Sequence, residues 1–526
     1  MPQAVTFDVL IVGGGQAALR AAIASCEAGA RVGVLAKGKI GYGGSSSISD
    51  AVHTALLDHR DSPRQLVEDM LAGGREINHK RLVQVFAEEC TARVKELSEV
   101  YHIPLEYERE LVTPGHSYPR RCYHPKSVGS QITRRLREVA AQKGAVLLDH
   151  YTVIDLLEEE RVAGVVAIHH NTLTVITAGS VILASGGLGG LYDQTDNPND
   201  VTGEVIAMAW RKGARLRDLE FIQFYPYRLI SPQNIDLYTK LFAVGAVMRN
   251  AQGERFMEHY PRQELETRDI LSYEMFKQGK VYLDITRVED EDLRQASPKL
   301  YQLLKRNGQQ ELIVSPVEHY SIGGIEIDEW GRTNVPGLFA CGECSGGLHG
   351  ANRLGGGALT EALVFGKRAG ECAAWESKPV HHEHAGFRLI EKTDVQWSVQ
   401  LLRQTVRKVR KEIQPLMWNY VGIERTKEGL EHALSKLTEL KAITQCEENT
   451  GQRIKQIELD MIHMAYWITK SALERAESRG AHIRRDYPRQ NDKWKGYLRV
   501  EKNEITFCPC QLDDEEVQAH ESSSCE

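Results

Sequence analysis

The chain lacks the features that mark membrane-spanning and nucleic-acid-binding proteins. No apolar run approaches the roughly 20 residues that a membrane helix needs, and the stretch Met1–Phe7 is neither a basic nor an apolar leader. The 72 acidic side chains outnumber the 65 Lys and Arg side chains, giving a net charge of −7. This balance argues against nucleic-acid binding. We therefore expect a cytoplasmic protein with no membrane span of its own and no nucleic-acid partner.

Clustered cysteines are also scarce. Most of the ten cysteines stand singly, as expected for reduced thiols in the cytosol. Cys341 and Cys344 match a redox-active CxxC pattern, but they lie inside a glycine-rich segment that favours a cofactor-binding loop. The spacing of Cys508, Cys510 and Cys525 matches no recognised metal or cluster site. We predict no metal site and a frayed tail around these three residues.

The segment Phe7–Ala36 carries a dinucleotide-binding fingerprint. An apolar run predicts a buried parallel strand, three glycines predict a turn, and an Ala- and Leu-rich stretch predicts a helix. Within it, Gly13 permits a tight turn, Gly15 lets the backbone approach a pyrophosphate, and Ala18 allows close packing of the helix on the strand. The helix N-terminus would then face the phosphates.

The residue after the second strand favours FAD over NAD. The acidic residue that binds the ribose of NAD is commonly found there, but the chain has Ala36 followed by Lys37. FAD recognition tolerates more variation at this position. We therefore predict an FAD-binding protein.

A second glycine-rich segment, Val335–Gly370, has the composition of a strand–loop–helix unit. It combines closely spaced glycines with Glu343, His349 and Arg353. Such glycines let the backbone approach an extended anionic cofactor, and the arginine could bind a ligand beside that cofactor. A further buried strand pattern ends in a glycine turn at Gly186, where it would meet the same cofactor.

The pattern of elements predicts a division of the 526 residues, which suit two to four domains. Alternating strands and helices indicate an α/β cofactor domain. A mixed segment without a fingerprint indicates an inserted cap, and a helical pattern rich in Lys, Arg, Glu and Leu indicates a separate bundle. The predicted parts are 1–219 and 335–385 for the cofactor domain, 220–334 for the cap, 386–490 for the helical domain and 491–526 for the tail.

Ordered motifs along the chain carry a resemblance to a known family. They are IVGGGQAAL, VILASGG, TDNPNDVTGE, LEFIQFYP, GERFM, LETRD, PVEHYSIGGI, GEC followed by HGANRLGG, and ESRGAHIRRDYP. The chain resembles the flavoprotein subunits of succinate dehydrogenase and fumarate reductase, a group that also contains L-aspartate oxidase. The resemblance extends to about Trp494. It implies a Rossmann-like FAD-binding domain with an inserted α+β capping domain and a C-terminal helical domain.

The resemblance also implies roles for single residues. Arg268 matches the arginine that exchanges a proton with a substrate carbon, and His319 and Arg353 match residues that hold a substrate carboxylate. We expect these three to be catalytic, and Tyr225 and His349 to bind substrate. The residues expected to contact FAD are Gly13, Gly15, Ala18, Lys37, Ser45, Ser46, Gly186, Glu343, Ala358 and Leu359.

Two departures from the family concern the substrate. The family commonly has QFHPT, with the His on the substrate, but Tyr225 and Tyr227 replace the His and the Thr here. The family also has a TE…R segment, whereas Tyr238–Gly245 contains neither Glu nor Arg. These changes remove a carboxylate contact and the usual proton relay to the catalytic arginine. We expect weak turnover of fumarate and succinate, with a larger or less charged unsaturated acid as the alternative.

A third departure concerns the flavin. Membrane-bound relatives attach FAD covalently through a His in an SHT motif, but Ser45 lies at that position in Gly43–Ile48. We therefore predict non-covalent FAD, with Ser45 and Ser46 donating hydrogen bonds to its phosphate or ribityl region.

The leading hypothesis is a flavin-dependent oxidoreductase acting on a carboxylic acid. Because the chain has no cysteine cluster of its own, an iron–sulfur partner would relay the electrons. One alternative is an L-aspartate oxidase, which needs no such partner. Another is a flavin electron-transfer or assembly subunit that has lost substrate chemistry.

Overall fold

The first part of the chain forms a mixed α/β unit in the computed structural model, which describes residues 5–510 apart from 127, 159, 309, 379–398 and 447–451. Its elements are β1 (Val5–Val12), α1 (Gln16–Glu27), β2 (Val32–Ala36), α2 (Ser45–Ile48), β3 (Val52–Thr54), α3 (Pro63–Gly73), α4 (Lys80–Glu99), β4 (Glu106–Tyr107), β5 (Arg121–Tyr123), α5 (Gly129–Gln142), β6 (Val146–Asp149), β7 (Thr152–Glu158), β8 (Val162–His169), β9 (Thr172–Leu183), α6 (Glu204–Arg211) and β10 (Leu216–Arg217).

The middle part contributes the next elements in chain order. They are β11 (Ile222–Ser231), β12 (Ile235–Asp236), α7 (Thr239–Ala243), β13 (Val247–Arg249), α8 (Arg268–Gln278), β14 (Val281–Asp284), α9 (Asp290–Ala296), α10 (Pro298–Asn307), β15 (Ile313–Ser321) and β16 (Gly324–Glu326). The last part contains β17 (Leu338–Ala340), β18 (Ser345–Gly346), α11 (Gly357–Trp375), α12 (Val399–Tyr420), β19 (Glu424–Arg425), α13 (Lys427–Cys446), α14 (Gln452–Glu474), β20 (Ile483–Arg484), β21 (Gly496–Glu501) and β22 (Glu504–Pro509).

The central sheet has seven strands in the order β6-β2-β1-β9-β8-β7, with β17 also paired to β9. Strands β6, β2, β1, β9 and β17 run parallel, and β8 and β7 complete the sheet antiparallel. Val9, Leu10 and Ile11 of β1 are fully buried, which explains the continuous apolar run in the sequence. The carboxyl ends of the parallel strands share one edge, where ligands bind in such sheets.

The middle part has its own sheet and its own core. Five strands in the order β12-β11-β15-β14-β13 pair antiparallel. Buried apolar side chains such as Tyr227, Leu241, Met248 and Leu271 form a core cluster separate from that of the central sheet. A sheet with an independent core is the arrangement expected of a compact cap.

The last strands correct one expectation. Cys508 and Cys510 were expected in a frayed tail, but β21 and β22 form a hairpin whose first strand pairs with β10. Cys508 lies in β22 opposite Tyr497, so the backbone at this position is held by sheet hydrogen bonds. Short-range sequence patterns missed this hairpin because its pairing partner lies almost 300 residues earlier in the chain. Cys525 lies outside the described residues.

Helices α1 and α11 pack closely because glycines face the contact. A Cβ added at Gly370 would lie 2.4 Å from the backbone oxygen of Ala21, and one at Gly366 would lie 2.8 Å from that of Ala17. The hydroxyl of Ser25 donates to the Gly370 carbonyl oxygen at 2.8 Å. This packing fixes the starts of both helices at the same edge of the central sheet.

The predicted fold class is confirmed in its architecture: an α/β unit, an inserted α+β unit and a C-terminal helical part. The exact domain boundaries stay a prediction. Within the described part of the chain, no helix combines the length and the apolar composition needed to cross a membrane.

Candidate active site

Two helices begin at one cavity without side-chain caps. Helix α1 follows Gly15 and α11 follows Gly356, and neither residue supplies a side-chain hydrogen bond to the helix start. Nε2 of Gln16 donates to the Leu359 carbonyl oxygen at 2.7 Å, which joins the two starts. Free N–H groups and the positive ends of two helix dipoles favour anionic groups here.

The glycine turn before α1 has a backbone that other residues could not adopt. Gly13 has a φ of 143°, and a Cβ there would lie 2.1 Å from the carbonyl oxygen of Ala184. A Cβ at Gly15 would lie 3.1 Å from the Ser46 hydroxyl. The turn therefore leaves its backbone open to a ligand, as the fingerprint predicts.

The cavity has a volume of about 550 Å³, within the range of cofactor and ligand sites. Most of the predicted site residues line it: Gly13, Gly15, Lys37, Ser45, Ser46, Gly186, Tyr225, Arg268, His319, Glu343, Arg353, Ala358 and Leu359. The sequence motifs thus come together from the first part of the chain, the middle part and the segment around the start of α11.

Two predicted site residues do not line this cavity. Ala18 is fully buried and packs in the core beneath the glycine turn, so it supports the turn instead of contacting a ligand. His349 was expected to bind substrate, but its Nε2 lies 3.0 Å from Oε2 of Glu361 behind the cavity wall. Its imidazole is 4% exposed and packs against Tyr320. In the structure His349 lies behind the cavity wall, and its contact with substrate stays a prediction.

The helix-start side of the cavity fits an extended anionic cofactor such as FAD. The Ser46 hydroxyl accepts from the Gln16 N–H at 3.3 Å, and the Lys37 ammonium lies 2.9 Å from Oε1 of Glu204. The Ser185 hydroxyl is buried and has no hydrogen-bond partner among the described residues. A buried hydroxyl with no partner among the described residues, beside open glycine backbone and uncapped helix starts, is what a diphosphate and a ribityl chain would require.

Ser45 is the residue that the sequence resemblance places at the flavin-linking position. Its hydroxyl donates to Oδ1 of Asn197 at 2.6 Å. A serine hydroxyl held in this way supplies no imidazole for flavin attachment. Glu343 lies further along the cavity and accepts from the Ser321 N–H at 3.1 Å. Burial raises the pKa of the Glu343 carboxyl to about 7.

At the other end of the cavity, two guanidinium groups converge on one amide oxygen. Nη1 of Arg268 donates to Oε1 of Gln223 at 2.9 Å, and Nε of Arg353 donates to the same atom at 3.1 Å. The amide is oriented by its own Nε2, which donates to the Arg353 carbonyl oxygen at 2.7 Å. Among the described side chains, no acidic group forms an ion pair with either arginine.

The two cations destabilise each other's charge. Burial lowers the pKa of Arg353 to about 9, and the charge of Arg268 acts in the same direction. Burial also lowers the pKa of Arg268. A carboxylate that entered between them would relieve both the desolvation and the repulsion.

His319 and Tyr225 form the wall beside these arginines. Nδ1 of His319 lies 2.7 Å from Oδ2 of Asp196, which orients the imidazole. The ring of Tyr225 stacks on His319 at 4.9 Å and lies 5.0 Å from the Arg268 guanidinium carbon. Its hydroxyl donates to the Leu237 carbonyl oxygen at 2.5 Å. Tyr225 therefore presents an aromatic face to the cavity, with its hydroxyl already bonded to the backbone.

Several residues of this site had no role in the sequence-based expectations. Gln223 and Asp196 lie inside quoted motifs, and only their positions between the arginines and beside the imidazole reveal what they do. Asp50 and Tyr238 lie in none of the motifs, yet both line the cavity. No spacing in the sequence links these two, because their contact spans 188 residues.

Cys341 and Cys344 are buried free thiols. The Cys344 thiol donates to the Leu183 carbonyl oxygen at 3.1 Å. Burial raises the pKa of both thiols, which opposes formation of the reactive thiolate. The pair therefore packs beneath the cofactor loop, as the glycine-rich context favours.

Family models match most of the chain. The model of an FAD binding domain matches residues 8–359, and that of the fumarate reductase flavoprotein C-terminal region matches residues 410–522. The chain belongs to the succinate dehydrogenase and fumarate reductase flavoprotein family. It is an FAD-dependent oxidoreductase, so the predicted family, enzyme class and cofactor are confirmed.

Individual relatives align over nearly the full length of this flavoprotein. It is 34% identical to one of the subunits of the fumarate reductase (CoM/CoB) of Methanothermobacter marburgensis, covering 93% of this chain and 96% of the relative. It is 32% identical to L-aspartate oxidase of Pseudomonas aeruginosa, covering 93% and 97%. A variant of the E. coli quinol fumarate reductase protein FrdA superposes with a TM-score of 0.86 at 27% identity, covering 96% and 97%. A quinol-fumarate reductase with menaquinol superposes with a TM-score of 0.82 at 28% identity, covering 93% and 94%.

We predict that acid precipitation releases the flavin from the purified protein. Ser45 offers no imidazole for a covalent bond, so FAD would be held by hydrogen bonds and the helix starts alone. The measurement is flavin absorbance in the supernatant against fluorescence of the denatured polypeptide on a gel. Flavin fluorescence that stays with the denatured chain would contradict this prediction.

Proposed function

We propose that the protein is the catalytic flavoprotein subunit of an enzyme that interconverts an unsaturated carboxylic acid and its saturated form. Fumarate and succinate serve as the reference pair. The supporting observation is the convergence of Arg268 and Arg353 on Gln223, next to His319, without an acidic partner in the described residues. Two cations placed in this way, one buried and one half-buried, favour a substrate carboxylate, since the strongest partner for a guanidinium is a bidentate anion.

The proposed chemistry divides between cofactor and chain. FAD, when bound, supplies hydride exchange at its N5 position. Arg353 and His319 hold and orient a substrate carboxylate, which places the double bond in a fixed position. Arg268 gives a proton to, or takes one from, the neighbouring substrate carbon. Its lowered pKa supports this role, because a more acidic guanidinium releases its proton more readily.

We further propose that a separate iron–sulfur subunit carries the electrons. The relative from Methanothermobacter marburgensis is named as one of the subunits of a fumarate reductase, and two structural neighbours are quinol fumarate reductases. Within the described residues, no group of three or more His, Cys, Asp or Glu side chains could hold a metal ion. In this proposal, the electrons pass between the flavin and that separate subunit.

L-aspartate oxidation is the second candidate, supported by the relative at 32% identity. An amino-acid substrate would bring an ammonium group, which needs a free carboxylate near the arginines. The acids that act most strongly on Arg268 already have partners: Asp196 bonds to His319, and Asp50 bonds to Tyr238. The site therefore favours a substrate without an amino group. The third candidate, a flavin subunit without substrate chemistry, does not explain why two arginines without an acidic partner among the described side chains converge in the cavity.

We predict that Arg268→Lys keeps FAD but loses turnover of the acid by about 100-fold or more, the usual scale of general acid catalysis. Lysine lacks the planar fork that bonds Gln223 and positions the proton. The measurement is reoxidation of chemically reduced protein by fumarate, with flavin content measured in parallel. Arg262→Lys is the matched control, since Arg262 is exposed in the same region. Turnover within a few-fold of the unmodified protein would show that Arg268 is not the acid.

We predict that fumarate is handled poorly and that Tyr225→His improves it. A charge-assisted hydrogen bond contributes about 1.5–3 kcal/mol, so the restored imidazole would tighten fumarate binding by roughly 10-fold or more. Tyr225→Phe is the control, because it keeps the ring and removes only the hydroxyl. The measurement compares fumarate with its half-ester as oxidants of the reduced protein. Rapid fumarate reduction by the unmodified chain, unchanged by Tyr225→His, would contradict the account of substrate charge.

A further inference from the structure

Arg268 needs a source of protons that the family pattern does not supply in this chain. After it protonates a substrate carbon, its guanidine must be recharged before the next turnover. The segment Tyr238–Gly245, where the family has its Glu and Arg, contains neither residue. The replacement must be an acid that lines the cavity and lies close enough to act on Arg268.

Asp50 meets both conditions. It lines the cavity with Arg268, and its charge is among those that act on Arg268 and on Tyr225. Its Oδ1 accepts from the hydroxyl of Tyr238 at 2.6 Å. Tyr238 is the first residue of the very segment that lacks the family's Glu and Arg. The contact links the cap to the loop that leads into β3.

Other acids near the arginines are committed elsewhere. Asp196 bonds to His319 at 2.7 Å. Asp236 pairs with Arg228 at the outer wall. Glu343 also has a neutral donor, the Ser321 N–H, but its charge is among the largest that act on Arg353 and is not among the largest that act on Arg268. Asp50 is left with a neutral phenol as its hydrogen-bond donor, so it remains able to bind and release a proton.

We propose that Asp50, held by Tyr238, is the proton donor that recharges Arg268, a role that rests on the proposed function. In the reductive direction, the Asp50 carboxyl loses its proton and the neutral guanidine of Arg268 gains it, through water in the cavity beside the Tyr225 ring. Asp50 then becomes a carboxylate and takes a new proton from solvent. No electrons move in this step. The oxidative direction runs the same transfer in reverse.

The surroundings of Asp50 suit a proton reservoir near neutral pH. Burial raises the pKa of its carboxyl to about 6, and the charge of Asp236 acts in the same direction. The hydrogen bond from Tyr238 and the charges of Arg121 and Lys299 oppose the rise. The protonated donor is therefore present below pH 6 and is lost as the pH rises through that value.

The first test reads Asp50 without turnover. Infrared difference spectra of the FAD-loaded protein between pH 4 and pH 8 follow the protonated carboxyl band. We expect a band that titrates near pH 6 and is absent in Asp50→Asn. In Tyr238→Phe its midpoint moves to higher pH, because the lost hydrogen bond favoured the carboxylate. Two results would overturn the proposal whether or not the enzyme turns over fumarate. One is a band whose midpoint lies at the ordinary pKa of an aspartate, about 4. The other is a band that Asp50→Asn leaves intact.

The second test follows turnover against pH. The rate should fall as the pH rises above about 6. Asp50→Asn should lower the rate by about 100-fold, the scale of a lost general acid, and should abolish this limb. Asp50→Glu should restore most of the rate. Asp290→Asn is the control, because Asp290 is an exposed acid paired with exposed Lys305.

The outcomes separate the two proposals. If the unmodified protein reduces fumarate and Asp50→Asn does so at the same rate with the same pH profile, the relay is wrong and the proposed function stands. If none of the unsaturated acids reoxidises the unmodified reduced protein, in which Arg268 and Asp50 are intact, the proposed function fails. The relay then fails with it.

Discussion

The site depends on two guanidinium charges, the buried Arg353 and the half-buried Arg268, that have no acidic partner among the described side chains. Arg268 comes from the first turn of α8 in the middle part, and Arg353 comes from the loop before α11. Gln223 joins them from β11, and the ring of Tyr320 lies 4.5 Å from the Arg353 guanidinium carbon. A buried cation without a counter-ion is unfavourable, so it persists only where the surrounding structure holds it in place, and an anion that binds beside it offsets the cost. The rest of the cavity wall provides that hold.

The layer behind the arginines explains how they keep their positions. The Tyr320 hydroxyl donates to Oε2 of Glu361 at 2.5 Å, and His349 lies 3.0 Å from the same oxygen. This group is buried and lies one layer behind Arg353. On the opposite side, close packing of α1 on α11 brings two uncapped helix starts to the cofactor end. The groups that attract the anionic parts of the cofactor and of the proposed substrate therefore lie around one edge of the central sheet.

Sequence patterns predicted the parts of this molecule that depend on local backbone needs. Gly13 requires a φ that only glycine adopts easily, so its place in the turn was predictable. The motifs around Arg268, His319 and Arg353 likewise identified side chains that line one cavity. The structural roles of His349 and Gln223 were not predictable, because a motif fixes residue identity but not which neighbour a side chain contacts.

Features that depend on long-range pairing could not be predicted from the sequence. The hairpin of β21 and β22 joins β10 across most of the chain, so no local pattern announced it. The contact of Asp50 with Tyr238 likewise joins two segments without a recognisable motif. Departures from the family pattern predicted the loss of a carboxylate contact and of a proton relay. They gave no indication of which residues had taken a comparable place.

The most direct test of the account is binding of a dicarboxylate that cannot be reduced, such as malonate, by calorimetry on the FAD-loaded protein. The account predicts one site per chain, with binding weakened by roughly 10-fold or more in Arg353→Met. Arg306→Met, an exposed arginine in α10, should bind as the unmodified protein does. Absence of binding to the unmodified protein, or equal binding by Arg353→Met, would contradict the claim that Arg268 and Arg353 bind a carboxylate.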